Sequence, residues 1–533
     1  MHVLILWHNT GTAGSSTPDP EYDGIHRYDT EATWTSNEEK DLVRKIDLRI
    51  MLYMCWMFFW LRLDGASLGK ALADNFLKDV HATTGDYNLS VTLQSVLAVA
   101  VEIPAQMIMR RVGAEYWLPG QMLCWGAISV GHAFVRTPKA FIAVRCLLTV
   151  FTAGWTPALV SYISEFYTTR ELGVRMSWLY ACLGISDILS AFVAFGLLHL
   201  RGRLGLPGWS WMFIVEGILT IITGIVTLFY LPASPTQSPA FLRFRSFSDR
   251  EEVIMVNRIL RDEPAKGKTH RHSVVHLSDV RRALHYSLWP LYIIGLVTLV
   301  PPGTTSQYFS LTLRSIGFDT FRTNLLTIPS SFLLIVNMLW LSLGVKKWGH
   351  RAFACFIGEL WIFPNLVALA YMPKNASKWA KWAASALTIA YPYWHPVALA
   401  WTASNSNDTR TRSISVAIYT SMVSLSGVIA SNIYVESDAP DCAPPSLSNI
   451  FLFSNANTDY HIILRSPDRR GNKILVGISG LSLAIFLFTH IFYKYLNHRK
   501  DRAWRKLSIE QQQDYAKFNK TKGPDRLDFR YLY

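Results

Sequence analysis

The sequence predicts an all-α membrane protein with twelve transmembrane helices in two repeats of six. Twelve apolar stretches have about the length of a membrane span, and a basic hydrophilic segment separates the sixth from the seventh. Half of the 533 residues are hydrophobic and only 17% are charged, whereas about 25% is usual in soluble domains. About 20 apolar residues match a hydrocarbon core about 30 Å thick. Such a stretch must be helical, because lipid offers no water to its backbone.

The apolar stretches give the predicted helices in order, each ending where charged, proline or glycine residues begin. The first repeat comprises Asp47–Leu72, Leu89–Met109, Trp117–Phe134, Ala140–Phe166, Met176–Leu200 and Trp209–Leu231. The second repeat comprises Leu288–Leu311, Leu325–Val345, Phe353–Tyr371, Ala383–Trp401, Ser413–Tyr434 and Ile474–Tyr495.

The net charge of +14 is concentrated at one side of the predicted membrane. Lysine and arginine cluster in residues 232–285 and after residue 494, and basic pairs such as Arg110-Arg111 follow even-numbered helices. Because cytoplasmic loops carry an excess of lysine and arginine, this distribution places both termini and the central segment in the cytoplasm. It also argues against nucleic-acid binding as the reason for the charge.

The predicted organisation follows from these helices. We expect a disordered cytoplasmic N-terminus (1–44), a six-helix bundle (45–231), a cytoplasmic linker (232–285), a second bundle (286–496, with an outer loop at 436–472) and a cytoplasmic tail (497–533). The cysteine spacings indicate neither a disulfide framework nor a metal site, and no cleavable signal is evident, so the first helix serves as the insertion signal.

The two halves share a local pattern. The second helix contains Ile103-Pro104 and ends in Arg110-Arg111, and one residue separates this pair from a glycine. The eighth helix contains Ile328-Pro329 and ends in Lys346-Lys347, and again one residue separates the pair from a glycine. Basic pairs after membrane helices are common, so chance is the alternative. Together with the six-plus-six count, a duplicated half is the better account. Two parallel six-helix repeats are the architecture of the major facilitator superfamily.

Several segments resemble the fungal allantoate permease family, in the anion:cation symporter branch of that superfamily. The resemblance covers most of residues 45–512. Its motifs are Lys45–Arg49, Glu102–Pro104, Arg145 with Gly154 and Pro157, Phe213–Gly217, Leu231–Pro235, Leu288–Tyr292, Leu311–Ser315, Asn324–Pro329, Tyr391–Pro396, Arg410–Arg412 and Arg470–Asn472.

The resemblance implies uptake of a small organic anion, such as allantoate, a carboxylate vitamin or a sulfur-containing compound, together with protons. The chain departs from the family pattern at Gly65, where a basic or polar residue is usual, and at Thr152, where a carboxylate is usual. It also has additional residues at 441–468, which we interpret as a retained intron or a lineage-specific outer loop.

Ionisable residues inside the predicted helices are candidates for function, because a charge within a helix bundle is costly. Arg145 is an anion anchor or a permanent partner of a carboxylate in the first or fifth helix. We consider Asp64, Glu102 and Asp187 for proton coupling. The alternatives are that Asp64 pairs with Arg62 or caps a helix break, that Glu102 serves helix packing, and that Asp187 lies in a polar pocket of neighbouring serines.

Helix breaks in the second half mark a second group of candidates. Tyr391, Tyr393 and His395 lie between two prolines, and Gln307 and Tyr308 follow Pro301-Pro302-Gly303. Backbone groups freed at such breaks can line a cavity, so we place substrate selectivity here. The alternative is that the aromatic side chains fill space. A lesser candidate for substrate binding is Gln94.

We therefore predict a monomeric plasma-membrane transporter that binds a small anion and protons within the lipid bilayer and works by alternating access. We expect no cofactor, no metal, no nucleic-acid partner and no catalytic residues. The alternative is a non-transporting nutrient sensor of the same fold.

Overall fold

A computed structural model describes residues 18, 22–74, 76–237, 247–262, 277–373, 376–406, 409–431, 433, 469–508, 510–512, 515 and 526–533. Each of the twelve predicted membrane helices is present in these residues, and we number them α1 to α12. The first six are α1 (Asp47–Met51 continued by Leu52–Ala73), α2 (Thr84–Val112), α3 (Ala114–His132), α4 (Pro138–Thr152 and Trp155–Ile163), α5 (Thr169–Leu197) and α6 (Gly208–Tyr230). The last six are α7 (Trp289–Val297 and Val300–Ser315), α8 (Ile328–Trp348), α9 (Arg351–Tyr371), α10 (Lys378–Ile389 and His395–Asn405), α11 (Thr409–Ser431) and α12 (Arg469–Trp504).

Eight helices in the described residues are long and apolar enough to cross a membrane: α2, α4, α5, α6, α8, α9, α11 and α12. Two of the remaining four are interrupted. α7 consists of segments of 9 and 16 residues, and α10 consists of segments of 12 and 11 residues. Each segment is shorter than the roughly 20 residues that a continuous span requires.

The predicted duplication is visible in the helix packing. In the first half α3 packs along α6. In the second half α9 packs along α12, and each of these two helices comes six helices after its counterpart in the first half. Between the halves α2 packs along α11 and α5 along α8, and these two pairs are also related by a shift of six. The predicted fold, an all-α bundle of two six-helix repeats, is confirmed.

The helix breaks lie where a neighbouring helix approaches closely. Gly154 interrupts α4 with φ of 75°, a left-handed conformation that glycine adopts without steric cost. A Cβ atom at this position would lie 2.5 Å from the Cβ of Ala105 in α2. In α10 the break precedes His395, and Gly358 of α9 lies against it, because a Cβ atom there would be 2.5 Å from the Pro392 carbonyl. Non-helical backbone of this kind is tolerated at membrane depth only inside the protein.

Both described terminal segments and a linker helix lie at one end of the bundle, which we call the terminal face. The linker helix, Asp249–Asp262, contacts the N-terminal segment through Arg27, whose Nε lies 2.9 Å from Glu252. At the second half, the Trp401 indole donates to the Leu532 carbonyl at 2.6 Å. The described terminal segments and the linker helix are therefore on the same side of the predicted membrane.

One part of the N-terminal segment that we expected to be disordered is helical. Residues 36–44, which we expected to be disordered, belong to a helix that extends over Ser36–Ile46 and starts with a capping box between Thr35 and Glu38. Its residues Leu42 and Ile46 are buried. A short amphipathic helix gains most of its stability from packing, so polarity alone did not indicate it. The predicted loop insertion at 441–468 lies outside the described residues.

Arg258 fixes the linker helix to the first half. Its side chain is 2% exposed. Its guanidinium lies 3.2 Å from a Glu171 oxygen and donates at 2.8 Å to the Phe166 carbonyl, so it contacts the start of α5 and the end of α4.

We expect Arg258→Ala to lower the apparent melting temperature of the purified protein, because removal of one partner from a buried ion pair costs about 3 kcal/mol. Arg250 of the same helix is 54% exposed, and Arg250→Ala is the matched control with little expected change. Thermal unfolding in detergent measures both. Equal shifts for the two variants would show that Arg258 does not fix the helix.

Candidate functional site

A group of aromatic side chains connects the two halves near the centre of the bundle. We call it the aromatic layer, and it consists of Tyr180, Tyr391, Tyr393, His395 and Tyr419. His395 Nε2 lies 3.2 Å from the Tyr180 hydroxyl of α5, and its Nδ1 lies 3.0 Å from the Tyr419 hydroxyl of α11. The Tyr393 ring is 5.7 Å from His395, and Tyr391 is 5.5 Å from Tyr393. The structure thus brings together three predicted substrate residues, Tyr391, Tyr393 and His395, with two that the sequence did not single out.

Helix α1 presents different residues to its own half and to the space between the halves. Asp64 accepts a hydrogen bond of 2.5 Å from Ser129 of α3, within the first half. On another face of α1, Phe58 contacts Tyr180 of the aromatic layer at 5.2 Å between ring centroids. Arg62 follows Phe58 by four residues and shares its face. It is two residues from Asp64, about 200° around the helix. The pair between Asp64 and Arg62, one of our sequence alternatives, is therefore not formed.

The Arg62 guanidinium is within electrostatic range of residues from both halves. They are Tyr180 and Asp187 of α5, His395 of α10 and Tyr393 in the α10 break. The Arg62 side chain is exposed, and because it shares the face of α1 that meets the aromatic layer, we expect it to face the space between the halves. Arginine can hold a carboxylate or sulfonate through two parallel hydrogen bonds.

Asp187 lies on the face of α5 that is directed at the second half. It follows Tyr180 by seven residues, which is two helical turns. One turn earlier, Gly184 packs on α8, where a Cβ atom would lie 2.5 Å from Ile335. The Asp187 side chain is half-buried, and its charge lies within range of Lys70 and Arg62.

The polar pocket that we considered for Asp187 is not formed. The Ser186 hydroxyl donates to the carbonyls of Phe59 and Cys182. The Ser190 hydroxyl donates to the Asp187 carbonyl, not to its carboxylate. Both serines therefore satisfy backbone groups.

A second polar group surrounds Arg145. Its Nε is buried and has no hydrogen-bond partner among the described residues, and its charge interacts with Asp64 and Tyr87. Tyr87 of α2 lies beside Gln307 of α7. The Gln307 Nε2 is also buried and has no partner in the described part of the chain. Arg145 and Gln307 thus both lie near Tyr87, and each has a buried nitrogen without a partner in the described residues.

Two predicted substrate residues have other partners. The Tyr308 hydroxyl lies 2.9 Å from Asn88 Oδ1 of α2 and 3.1 Å from the Ser431 carbonyl of α11, so it connects the halves at the end opposite the terminal face. The Gln94 amide donates to the carbonyl and hydroxyl of Ser90, one turn earlier in its own helix. The structure does not group Gln94 with the other candidates.

Four buried carboxyl groups each accept a hydrogen bond from a serine hydroxyl. The pairs are Asp64 with Ser129, Glu102 with Ser421, Glu216 with Ser67, and Glu359 with Ser479. Only the pair of Glu102 and Ser421 joins the two halves, at the contact of α2 with α11. A serine hydroxyl is neutral, so its hydrogen bond to one carboxyl oxygen does not hold the carboxyl group in the charged form. The carboxyl group can therefore still gain or lose a proton.

The structure adds Arg62, Lys70, Tyr87, Tyr180, Glu359 and Tyr419 to the candidates. Three of them are ionisable residues within apolar stretches, and the rule that selected Asp64 and Arg145 applies to them equally. Tyr87 and Tyr180 gave no signal in the sequence, because tyrosine is common near membrane interfaces.

Two six-helix halves with ionisable and aromatic residues between them define the class of secondary transporters. Residues 54–431 match the Major Facilitator Superfamily. The chain belongs to this superfamily, whose members found here are transporters and not enzymes.

Relatives and solved structures agree with this assignment. "Uncharacterized transporter YIL166C" of Saccharomyces cerevisiae is 34% identical over 516 residues, which cover 96% of this chain and 90% of the relative. The "Putative tartrate transporter" of Agrobacterium vitis is 27% identical, with 63% of this chain and 77% of the relative covered. The proton:xylose symporter XylE, solved with 6-bromo-6-deoxy-D-glucose, superposes with a TM-score of 0.60 at 14% identity, covering 83% of this chain and 95% of that one. This last similarity concerns the fold alone.

We expect Gly184→Ala to destabilise the protein, because the added methyl group would overlap Ile335 and separate α5 from α8. Overpacking of this kind costs about 1–3 kcal/mol. In Gly196→Ala, the matched control on the same helix, the added Cβ has no neighbour within 4 Å, and alanine there improves helix propensity. The melting temperature should fall for the first variant only. A stable Gly184→Ala protein would show that the contact with α8 is not tight.

Proposed function

We propose that the protein is a proton-coupled transporter of a small organic anion that works by alternating access. The observation that supports the anion is the guanidinium of Arg145, whose buried Nε has no partner among the described residues and which forms no ion pair with them closer than 4 Å. A bound carboxylate or sulfonate would satisfy it. The orphan amide of Gln307, from the other half, would then contribute a donor to the same ligand.

Proton coupling is supported by the carboxyl groups that are bonded to serine. The membrane potential opposes uptake of an anion by about 2.3 kcal/mol per charge per 100 mV, and accompanying protons reverse that sign. We assign Asp64 to the proton step next to Arg145, because the two charges interact. Glu102 is a second candidate, since its bond to Ser421 must break when α2 and α11 separate.

The substrate class, the oligomeric state and the orientation in the membrane are proposed from the sequence and from a relative. The resemblance to the allantoate permease family and the tartrate named for the Agrobacterium vitis relative both favour an organic anion. We propose a monomer in the plasma membrane with the terminal face in the cytoplasm, since lysine and arginine are concentrated there. The bodies that rock against each other would be residues 45–231 and 286–496.

Uptake by yeast that lacks its own anion permeases tests the proposal. A panel of labelled allantoate, pantothenate, nicotinate, cysteine and a sulfonate would be offered at acidic and neutral outside pH, with and without a protonophore. We expect uptake of one compound that rises with acidity and collapses with the protonophore. Absence of uptake by correctly inserted protein, with and without residues 441–468, would contradict transport and favour a nutrient sensor.

We expect Arg145→Ala to abolish uptake without loss of surface expression, because the anion loses its charged partner. Arg145→Lys should retain little activity, since a lysine cannot form two parallel bonds. Arg136→Ala is the control, because this exposed arginine donates to carbonyls of its own loop and lies over the Trp209 ring, away from the candidate residues. Near-normal uptake by Arg145→Ala would remove Arg145 from the site.

A further inference from the structure

Arg62 and Asp187 present opposite charges to the space between the halves. Arg62 shares the face of α1 that contacts the aromatic layer, and Asp187 shares the face of α5 that contacts α8. The first side chain is exposed and the second half-buried. Within the described ranges neither forms an ion pair closer than 4 Å, although each is within electrostatic range of the other.

Opposite charges that face one space without forming an ion pair, such as Arg62 and Asp187, are unusual inside a membrane protein. Ionisable groups in a bundle commonly pair with one another, because an uncompensated charge is costly. Asp187 also has a second cation nearby, Lys70, but the Lys70 ammonium is buried and donates at 2.7 Å to Thr327 of the second half. Lys70 is thus committed to a contact between the halves, and Arg62 and Asp187 are left facing the same space.

We infer that the space between Arg62 and Asp187 is a binding site of its own, which takes a zwitterion with its acidic group on Arg62 and its cationic nitrogen on Asp187. The inference rests on the proposed function, because it adds a zwitterion site to the same transporter, apart from the anion contact assigned to Arg145. The guanidinium accommodates a carboxylate or sulfonate through two hydrogen bonds. The Asp187 carboxylate accepts hydrogen bonds from an ammonium group.

Asp187 would also discriminate against simple anions. An anion without a cationic group would bring its charge close to the Asp187 carboxylate and leave that carboxylate without a partner. Specificity commonly arises from such repulsion as well as from attraction. The site therefore distinguishes molecules that differ only in one amine.

Pairs of probes that differ only by the amine test the inference on the full-length protein purified in detergent. We would titrate 2-aminoethanesulfonate against ethanesulfonate and 3-aminopropanoate against propanoate, with thermal stabilisation as the signal. In the unmodified protein, the amine-bearing member of at least one pair should bind about tenfold more tightly than its partner, since hydrogen bonds between charged groups contribute differences of this size.

The variants separate the two charges. Asp187→Asn should lose the tenfold preference while it keeps anion binding, and Arg62→Ala should lose the preference as well, because the acidic group of the zwitterion then has no partner beside Asp187. Asp187→Glu preserves the charge and should keep the preference even if Asp187→Asn folds poorly. Glu216→Gln is the control, because Glu216 is bonded to Ser67 within the first half and should not affect the preference.

Equal affinity for both members of each pair, a preference that survives Asp187→Asn, or no binding of any amine-bearing probe would each overturn the zwitterion. These results would leave proton-coupled anion transport intact, since the yeast panel measures that separately. Conversely, a zwitterion that binds but is not taken up would contradict transport and support the site.

Discussion

The cost of a charge between membrane helices is the constraint on which the rest of this structure depends. The protein meets it in two ways. Four carboxyl groups, including Asp64 and Glu102, are buried, and each accepts a hydrogen bond from a serine hydroxyl. Arg62 and Asp187 instead face the space between the halves, where a substrate or water can solvate them. The distribution of these side chains therefore separates groups suited to carrying protons from groups suited to binding a ligand.

The cost of unpaired polar groups in lipid also determines where the helices are interrupted. α4 and α10 occupy equivalent positions in the two halves, and both are interrupted, at Gly154 and just before His395. Close contacts from α2 and α9 hold these interruptions. Because a free carbonyl or amide in lipid is costly, such breaks are confined to the interior. The break in α10 directly precedes His395, which contacts Tyr180 of the other half.

The terminal face stabilises each half separately. The linker helix is fixed to the first half through Arg258. The C-terminal segment is fixed to the second half, where the amide of Asn405 exchanges two hydrogen bonds with the backbone of Leu532 and Asn497 does the same with Tyr531. Each half is thus bound to its own supporting segment, an arrangement compatible with the rocking of one rigid bundle against the other.

The sequence by itself determined the twelve helices, the two repeats and the ionisable residues inside them, because hydropathy and charge are properties of the chain alone. It placed Tyr391, Tyr393 and His395 at a helix break correctly for the same reason. Only the tertiary structure decided that Asp64 bonds to Ser129 of α3 and that Gln94 bonds to its own helix. A uniformly apolar helix has no polar face to define its rotation, so packing against neighbours sets which side chains meet.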